Sequence, residues 1–215
     1  MSADRLPIRK LIHMAKQVWN PGAMLAPLPP ALVTCGQGED INVLTIGWTG
    51  ILCTKPPKTY ISVRPERHSH HLLEQYGQFT INLPTTSMVR KVDLCGVRSG
   101  KDANKFELCG LTPEPGTVVS CPSLAECPIS IECRITGKQP LGSHDMFLAD
   151  IVAVTVDERY VDKQGKLHIE KCDLLAYAHG TYFTLGDPIG TFGFSVRKKP
   201  LKQPHRKPKP KKERK

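Results

Sequence analysis

One short segment combines an arginine with two hydroxyl side chains. Ser62 and Arg64 are two residues apart, and Ser69 directly precedes a stretch with helical spacing, His70–Tyr76. A guanidinium and hydroxyl donors at a helix N-terminus are suited to a phosphate group. Both the N–H groups of the guanidinium and the free backbone N–H groups of the helix favour an oxyanion. From these residues alone, Arg64 as a surface cation and Ser69 as a helix N-cap are the simpler interpretations.

Histidine and cysteine are frequent, but their spacing does not favour a metal site. His70 and His71 would point to different sides of a helix. None of the eight cysteines forms a CxxC pair, and three of them recur at six-residue steps that match no common ligand pattern. We therefore predict no bound metal and reduced thiols, in a cytoplasmic protein without a disulfide framework.

The positive charge is concentrated at the C-terminus. Residues 197–215 hold eleven of the thirty Lys and Arg residues and one of the twenty acidic residues, which leaves nineteen of each for residues 1–196. This Pro-rich tail has almost no apolar residues to offset the entropy of ordering, so we predict a disordered tail. It has two interpretations: a solubilising extension, or a segment with weak affinity for a polyanion.

The remaining 196 residues are enough for one domain with one sizeable core. No unbroken apolar segment fits a signal peptide near the N-terminus. The uncharged window 17–38 contains four prolines and excludes a membrane-spanning helix.

Strands predominate in the predicted secondary structure, which gives a mainly β (α+β) fold class and suggests a barrel with short flanking helices. Helical spacing covers Ile8–Trp19, and two shorter helices are expected, one after Ser69 and one after Asp102, with these two residues as N-caps. Runs rich in β-branched and aromatic residues predict seven strands: Ala31–Cys35, Ile41–Trp48, Thr59–Arg64, Phe79–Leu83, Ile129–Thr136, Phe147–Val156 and Thr181–Leu185.

The segments between about residues 27 and 185 resemble the flavin reductase-like family of FMN-binding split β-barrels, and within it the flavoredoxin-type branch. No GxGxxG or Walker-type loop argues for another nucleotide-binding fold. Seven pieces occur in the family's order: Pro27–Cys35, Asn42–Pro57, Tyr60–Leu73, Phe79–Pro84, Cys95–Phe106, Cys127–Cys133 and Gly142–Val154.

This resemblance implies an FMN site, because FMN needs cations at its phosphate and backbone donors at its ring. It assigns one segment along the ring, with contacts from a neighbouring strand, one segment at the phosphate, and a second stretch that also reaches the FMN. The implied cofactor-binding residues are Thr45, Ile46, Gly47, Trp48, Thr49, Asn82 and Leu83 at the ring, Ser62, Arg64 and Ser69 at the phosphate, and Ser99, Lys105 and Phe106 from a second stretch.

His144 is the candidate catalytic residue on the substrate side. Its Gly-x-His-x-x-Phe segment resembles one that reaches the cofactor face in the family's reductases. A histidine that only hydrogen-bonds across the barrel is an equally good interpretation. Hydride transfer requires stacking and orientation rather than a protein base, so we do not assign a general base.

Two classes of function remain open from the sequence. The first is an FMN-dependent oxidoreductase, either an NAD(P)H:flavin reductase or a flavoredoxin-type carrier that exchanges electrons with a protein partner; Trp48 could restrict NAD(P)H access. The second is a non-enzymatic flavin-binding protein, tethered to nucleic acid or membrane by the basic tail. In both, the resemblance implies a homodimer with the flavin near its interface.

Overall fold

The computed structural model describes residues 16–197. Most of the predicted N-terminal helix and the tail from residue 198 therefore lie outside the described residues, and residues 16–19 are not helical. None of the described helices is long and apolar enough to cross a membrane.

Seven antiparallel strands form the main sheet, in the spatial order β2-β1-β5-β8-β9-β4-β3. They are β1 (Ala31–Gln37), β2 (Asp40–Ile46), β3 (Thr49–Thr54), β4 (Pro57–Val63), β5 (Gln78–Leu83), β8 (Ile129–Pro140) and β9 (Asp145–Val156). The outermost strands, β2 and β3, are joined by only Gly47 and Trp48. A seven-stranded sheet whose edge strands are two residues apart must curve round on itself, so the sheet forms a barrel.

Smaller elements flank the barrel. Three helices are α1 (His68–Tyr76), α2 (Val89–Val97) and α3 (Lys105–Cys109). Two short ladders are formed by β6 (Pro113–Glu114) with β7 (Ser123–Leu124) and by β10 (Leu175–Ala178) with β11 (Thr181–Thr184).

The sheet separates two apolar clusters. Alternate residues of β1 point to opposite faces, so Val33 packs with Leu72 and Leu73 of α1 while Leu32 joins the cluster that contains Val92 of α2 and Phe106 of α3. The helices are thereby fixed on both sides of β1 and β2.

Several boundaries differ from the prediction. The run Ile41–Trp48 was predicted as one strand, but it leaves the ladder after Ile46. Strands β3 and β10 and helix α2 were not predicted. The expected N-caps were also wrong: Ser69 lies inside the first turn of α1, and Asn104 rather than Asp102 caps α3 by accepting a hydrogen bond from Phe106 N at 3.1 Å.

Candidate functional site

Three adjoining cavities form a continuous groove beside β2. The first, of ≈ 470 Å³, lies at the α1 and α3 end. The second, of ≈ 200 Å³, shares Leu44, Arg64 and Arg67 with the first. The third, of ≈ 320 Å³, shares Thr45, Gly47 and Trp48 with the second. We call them the cation end, the middle and the aromatic end of the groove.

The cation end collects positive charge from three parts of the chain. Four basic side chains and one carboxylate line it: Arg64, Arg67, Arg98, Lys105 and Glu66. The only ion pair that any of the four cations makes within residues 16–197 joins Arg64 to Glu66, with Nη1 and Oε1 3.5 Å apart. This excess of cations is a suitable environment for a polyvalent anion.

Lys105 is the most buried of these cations. Lys105 is the first residue of α3 and is 3% exposed. Its Nζ donates to the carbonyl oxygen of Cys95 at 3.3 Å. Burial lowers the pKa of Lys105, because the charged ammonium loses hydration without gaining a carboxylate. An anion in the cavity would supply the missing counter-charge.

A close contact between three elements shapes the same end. Asn42 Nδ2 of β2 donates to Ser69 Oγ of α1 at 2.6 Å. A Cβ on Gly100 would lie 2.4 Å from Asn42 Oδ1 and 2.7 Å from His68 Cδ2, so any larger residue would displace these side chains or the loop that follows α2. The loop thereby brings Ser99 and Gly100 to the cavity.

His68 contributes an unsatisfied polar atom. Its Nδ1 is buried and has no hydrogen-bond partner among the described residues. Burial, followed by the neighbouring His71, lowers the pKa of His68, so the ring is neutral at neutral pH. A buried nitrogen of this kind is expected to meet a ligand or water.

The middle of the groove is built where β2 leaves the sheet. Thr45 Oγ1 donates to the carbonyl oxygen of Val92 and holds β2 against α2. Gly47 and Trp48 lie outside the strands, so their N–H groups are not committed to the ladder, while the Trp48 carbonyl accepts from Ser62 N at 2.9 Å. Thr45, Ile46, Gly47, Trp48 and Ser62 all line this cavity.

His144 lines the middle of the groove together with Arg64 and Arg67. Its Nδ1 lies 2.9 Å from Ser143 Oγ. Burial, and after it the charge of Arg64, lowers the pKa of His144, so its imidazole is neutral at neutral pH.

At the aromatic end, Trp48 was expected from the sequence, but Tyr177 and Tyr182 were not. Trp48 is 38% exposed there, beside Tyr177 and Tyr182, whose ring centroids are 5.3 Å apart. Tyr182 Oη donates to Asp93 Oδ1 at 3.4 Å. Burial and this carboxylate raise the pKa of Tyr182 to about 12, so it stays a neutral donor.

Four of the residues assigned by resemblance do not line the groove. Thr49 donates to the carbonyl oxygen of Tyr60 at 2.6 Å, and Leu83 packs against the core. The Asn82 side chain is 0% exposed and links β1, β5, β7 and β8 by hydrogen bonds. Phe106 belongs to the second cluster and borders a further cavity next to the cation end.

That further cavity, of ≈ 820 Å³, is lined by Glu39, Asp40 and Glu107 in addition to Lys105. Its carboxylates disfavour a second phosphate beyond the cation end.

Sequence reasoning missed Arg67, Arg98 and His68 at the cation end. Arg67 and His68 lie between two residues that it did select, Arg64 and Ser69, and Arg98 directly precedes Ser99. Their closeness in the sequence to the selected residues is the signal that could have identified them. Within residues 16–197, no group of three or more His, Cys, Asp or Glu residues could hold a metal ion.

Comparison with known proteins identifies the family. The family model described as "Flavin reductase like domain" matches residues 24–186. The structure of flavoredoxin from Desulfovibrio vulgaris (Miyazaki F) aligns with a TM-score of 0.79 at 28% identity, over 85% of this chain and 100% of that one.

Two further proteins are similar to this chain. An FMN-binding protein from Thermus thermophilus aligns with a TM-score of 0.70 at 25% identity, over 82% of this chain and 97% of that one. An NADH-dependent FMN reductase from Streptomyces nodosus subsp. asukaensis is 26% identical over 169 residues, 76% of this chain and 82% of its own length. The chain therefore belongs to the flavin reductase-like family: it is a mainly β split-barrel protein with a flavin-associated oxidoreductase function.

Proposed function

We propose that the groove binds FMN with its phosphate at the cation end and its ring toward the middle, and that the protein transfers electrons through this flavin. The observation that carries the proposal is the polarity of the groove: four cations line one end, and backbone groups and aromatic side chains line the other. FMN has the matching polarity, a dianionic phosphate joined to a flat ring.

The cation end suits a phosphate in two specific respects. The buried Lys105 makes no ion pair within the described residues, and the buried Nδ1 of His68 lacks a hydrogen-bond partner there. Arg64, Arg67 and the Ser99 hydroxyl add donors around the same cavity. Each of these deficits would be corrected by an anion with several acceptor oxygens.

The middle of the groove suits the flavin ring. The N–H groups of Gly47 and Trp48 are outside the ladder and can donate to carbonyl oxygens of the ring's polar edge. A Cβ on Gly47 would meet nothing within 4 Å, so this position has open space beside it. Trp48 offers an apolar surface that a planar ring can contact.

Bound FMN supplies a reversible acceptor for a hydride or for single electrons. The residues of this chain bind the flavin and orient it. We propose that neutral His144 is a positioning donor at the cofactor face, since it lies beside Arg64 in the middle of the groove and its lowered pKa keeps it uncharged.

Two electron donors suit this site. A reduced nicotinamide is supported by the similar NADH-dependent FMN reductase. A protein donor is supported by the similarity to flavoredoxin and by Trp48, whose indole borders both the middle and the aromatic end and restricts the space for a second ring.

Three measurements test the proposal. Protein reconstituted with FMN should show the absorption bands of an oxidised flavin, and anaerobic titration with dithionite should bleach them reversibly. Steady-state oxidation of NADH and NADPH then separates the donors: turnover indicates a reductase, and electron transfer from the reduced protein to cytochrome c without turnover indicates a carrier. Flavin that binds but exchanges no electrons would instead indicate a purely binding protein.

We also propose that the chain is a homodimer. Ile51 and Leu52 on β3 and Val154 near the end of β9 expose their apolar side chains to solvent. Exposed apolar side chains of this kind favour contact with a partner subunit.

A further inference from the structure

Two thiols face each other between α2 and α3. Cys95 Sγ and Cys109 Sγ are 3.6 Å apart, and both side chains belong to the second apolar cluster. Other cysteines bond to different partners: Cys121 to the hydroxyl of Thr80, and Cys53 to the carbonyl oxygen of Lys55.

We propose that Cys95 and Cys109 are a reversible redox site, which closes to a disulfide in the presence of a low-molecular-weight disulfide such as oxidised glutathione and reopens with excess thiol. Their sulfurs are already near van der Waals contact, so bond formation needs an approach of about 1.5 Å to reach the usual S–S length of about 2.05 Å.

The positions of the two residues set the order of the steps. Cys109 is half-buried, whereas Cys95 is buried. Burial, together with the neighbouring Cys109, raises the pKa of Cys95 to about 12, and a dissolved reagent reaches the half-buried Cys109 before the buried Cys95. The Cys109 thiolate attacks the reagent disulfide and releases one thiolate, which takes up a proton. Cys95 then attacks the Cys109 sulfur, the bond between Cys109 and the reagent breaks, and the proton of Cys95 passes to the reagent thiolate that leaves. Two electrons pass from the protein thiols to the reagent.

Helix α3 is the element that can move to close the bond. Cys95 lies on α2, which is anchored in the core through Val92. Helix α3 has only five residues and ends at Gly110, whose φ of 55° allows the chain to reverse direction. Phe106 packs α3 into the second cluster, so the shift is limited to the small approach that the two sulfurs need.

The shift would reach the cation end of the groove. Lys105 begins α3, and its Nζ is bonded to the carbonyl oxygen of Cys95 itself. Because charge-assisted hydrogen bonds weaken steeply with misplacement, moving α3 should weaken the hold on a phosphate. This consequence rests on the proposed FMN function; the disulfide itself does not.

The first experiment tests the bond in the native, full-length protein without flavin. After treatment with oxidised glutathione, alkylation and tryptic digestion, we expect residues 92–98 linked to residues 106–134. Fragmentation should place the bond at Cys109 and not at Cys121, Cys127 or Cys133. Cys53→Ser is the matched control and should give the same link, whereas Cys109→Ser should abolish it. Stable glutathione adducts only, or a bond to another cysteine, would overturn the proposal.

The second experiment measures FMN and riboflavin affinity before and after oxidation. We expect FMN binding to weaken at least threefold and riboflavin binding to stay constant, and excess dithiothreitol should restore the original value. A linked protein with unchanged FMN affinity would refute the coupling through Lys105. If the link forms in a protein that binds no flavin in either state, the proposed function fails and the redox site stands.

Discussion

The side-chain amide of Asn42 donates a 2.6 Å hydrogen bond to the hydroxyl oxygen of Ser69, and this bond joins the edge strand β2 to the first turn of α1. Ser69 therefore accepts from within the protein and keeps its own proton as a donor. Asn42 and Ser69 both line the cation end of the groove. The phosphate position proposed above thus depends on a contact between residues 27 positions apart in the chain.

Arg64→Ala should weaken FMN binding by about 1.5 to 3 kcal/mol, the range for a hydrogen bond to a charged group, and leave riboflavin binding nearly unchanged. Arg64 lines both the cation end and the middle of the groove, so its guanidinium can reach the phosphate. Parallel titrations of the two flavins measure the effect.

Arg90→Ala is the matched control, since Arg90 is an exposed arginine on α2 that lines neither cavity. An equal loss for riboflavin in Arg64→Ala would show that Arg64 supports the fold and not the phosphate.

His68→Phe should weaken FMN binding by about 1 to 2 kcal/mol because it removes one donor to a charged ligand. His68→Asn should retain most of the affinity, since an amide nitrogen can occupy the place of Nδ1. The exposed neighbour His71, changed to Phe, serves as the control. Calorimetry with FMN decides the matter, and comparable losses in the His71 and His68 variants would argue against a direct contact.

FMN should be bound in preference to FAD. The cavity next to the cation end has room for an adenylate, but Glu39, Asp40 and Glu107 would repel its second phosphate. Denaturing extraction and chromatography after reconstitution with equal amounts of both flavins tests this. Recovery of FAD alone, or of no flavin, would be incompatible with the proposal.

Glu132 is a buried carboxylate that stabilises the fold, and its effect should depend on pH. Burial acts to raise its pKa, but hydrogen bonds from the Thr117 side chain and from the backbone of residues 117–119 hold the pKa below its usual value. A carboxyl group with a lowered folded pKa adds stability above its unfolded pKa of about 4.3, and this contribution disappears as the pH falls through the folded value.

Glu132→Gln should therefore reduce the free energy of unfolding by ~3 kcal/mol at pH 7, because it places an amide against buried donors. The difference from the unaltered protein should shrink in denaturant titrations below about pH 4. Glu158→Gln, an exposed carboxylate, should change little at any pH. A constant difference across the pH range would mean that packing, not ionisation, is responsible.

Deletion of residues 198–215 should leave the dimer, the flavin content and any reductase activity intact. The tail from residue 197 carries a net charge of +10, so it should bind polyanions weakly and with a steep salt dependence from counterion release. The truncated protein should pass through a heparin column at low salt. Light scattering and flavin absorbance provide the checks, and dissociation of the dimer or loss of flavin would make the tail an ordered structural part.

The local sequence determined most of the barrel. Strands β1, β4, β5, β8 and β9 arise from β-branched and aromatic runs bounded by Pro and Gly, a pattern that holds without knowledge of the partner strand. Helix α2 was not predicted because the residue at its N-cap position, Met88, makes no side-chain hydrogen bond to the helix. The packing of Val92 and Cys95 in the second cluster stabilises this helix instead.

The family resemblance pointed to Ser62, Arg64, Ser69, Ser99 and Lys105, which the fold brings to one groove. Only the tertiary structure decided that Lys105 is buried without an ion pair among the described residues, that Ser69 accepts from Asn42 instead of capping α1, and that Asn82 is a link between strands. Residue type and spacing fix which groups a segment carries. Desolvation and hydrogen-bond partners come from contacts between residues far apart in the chain, and these set the charge and the free donors of the site.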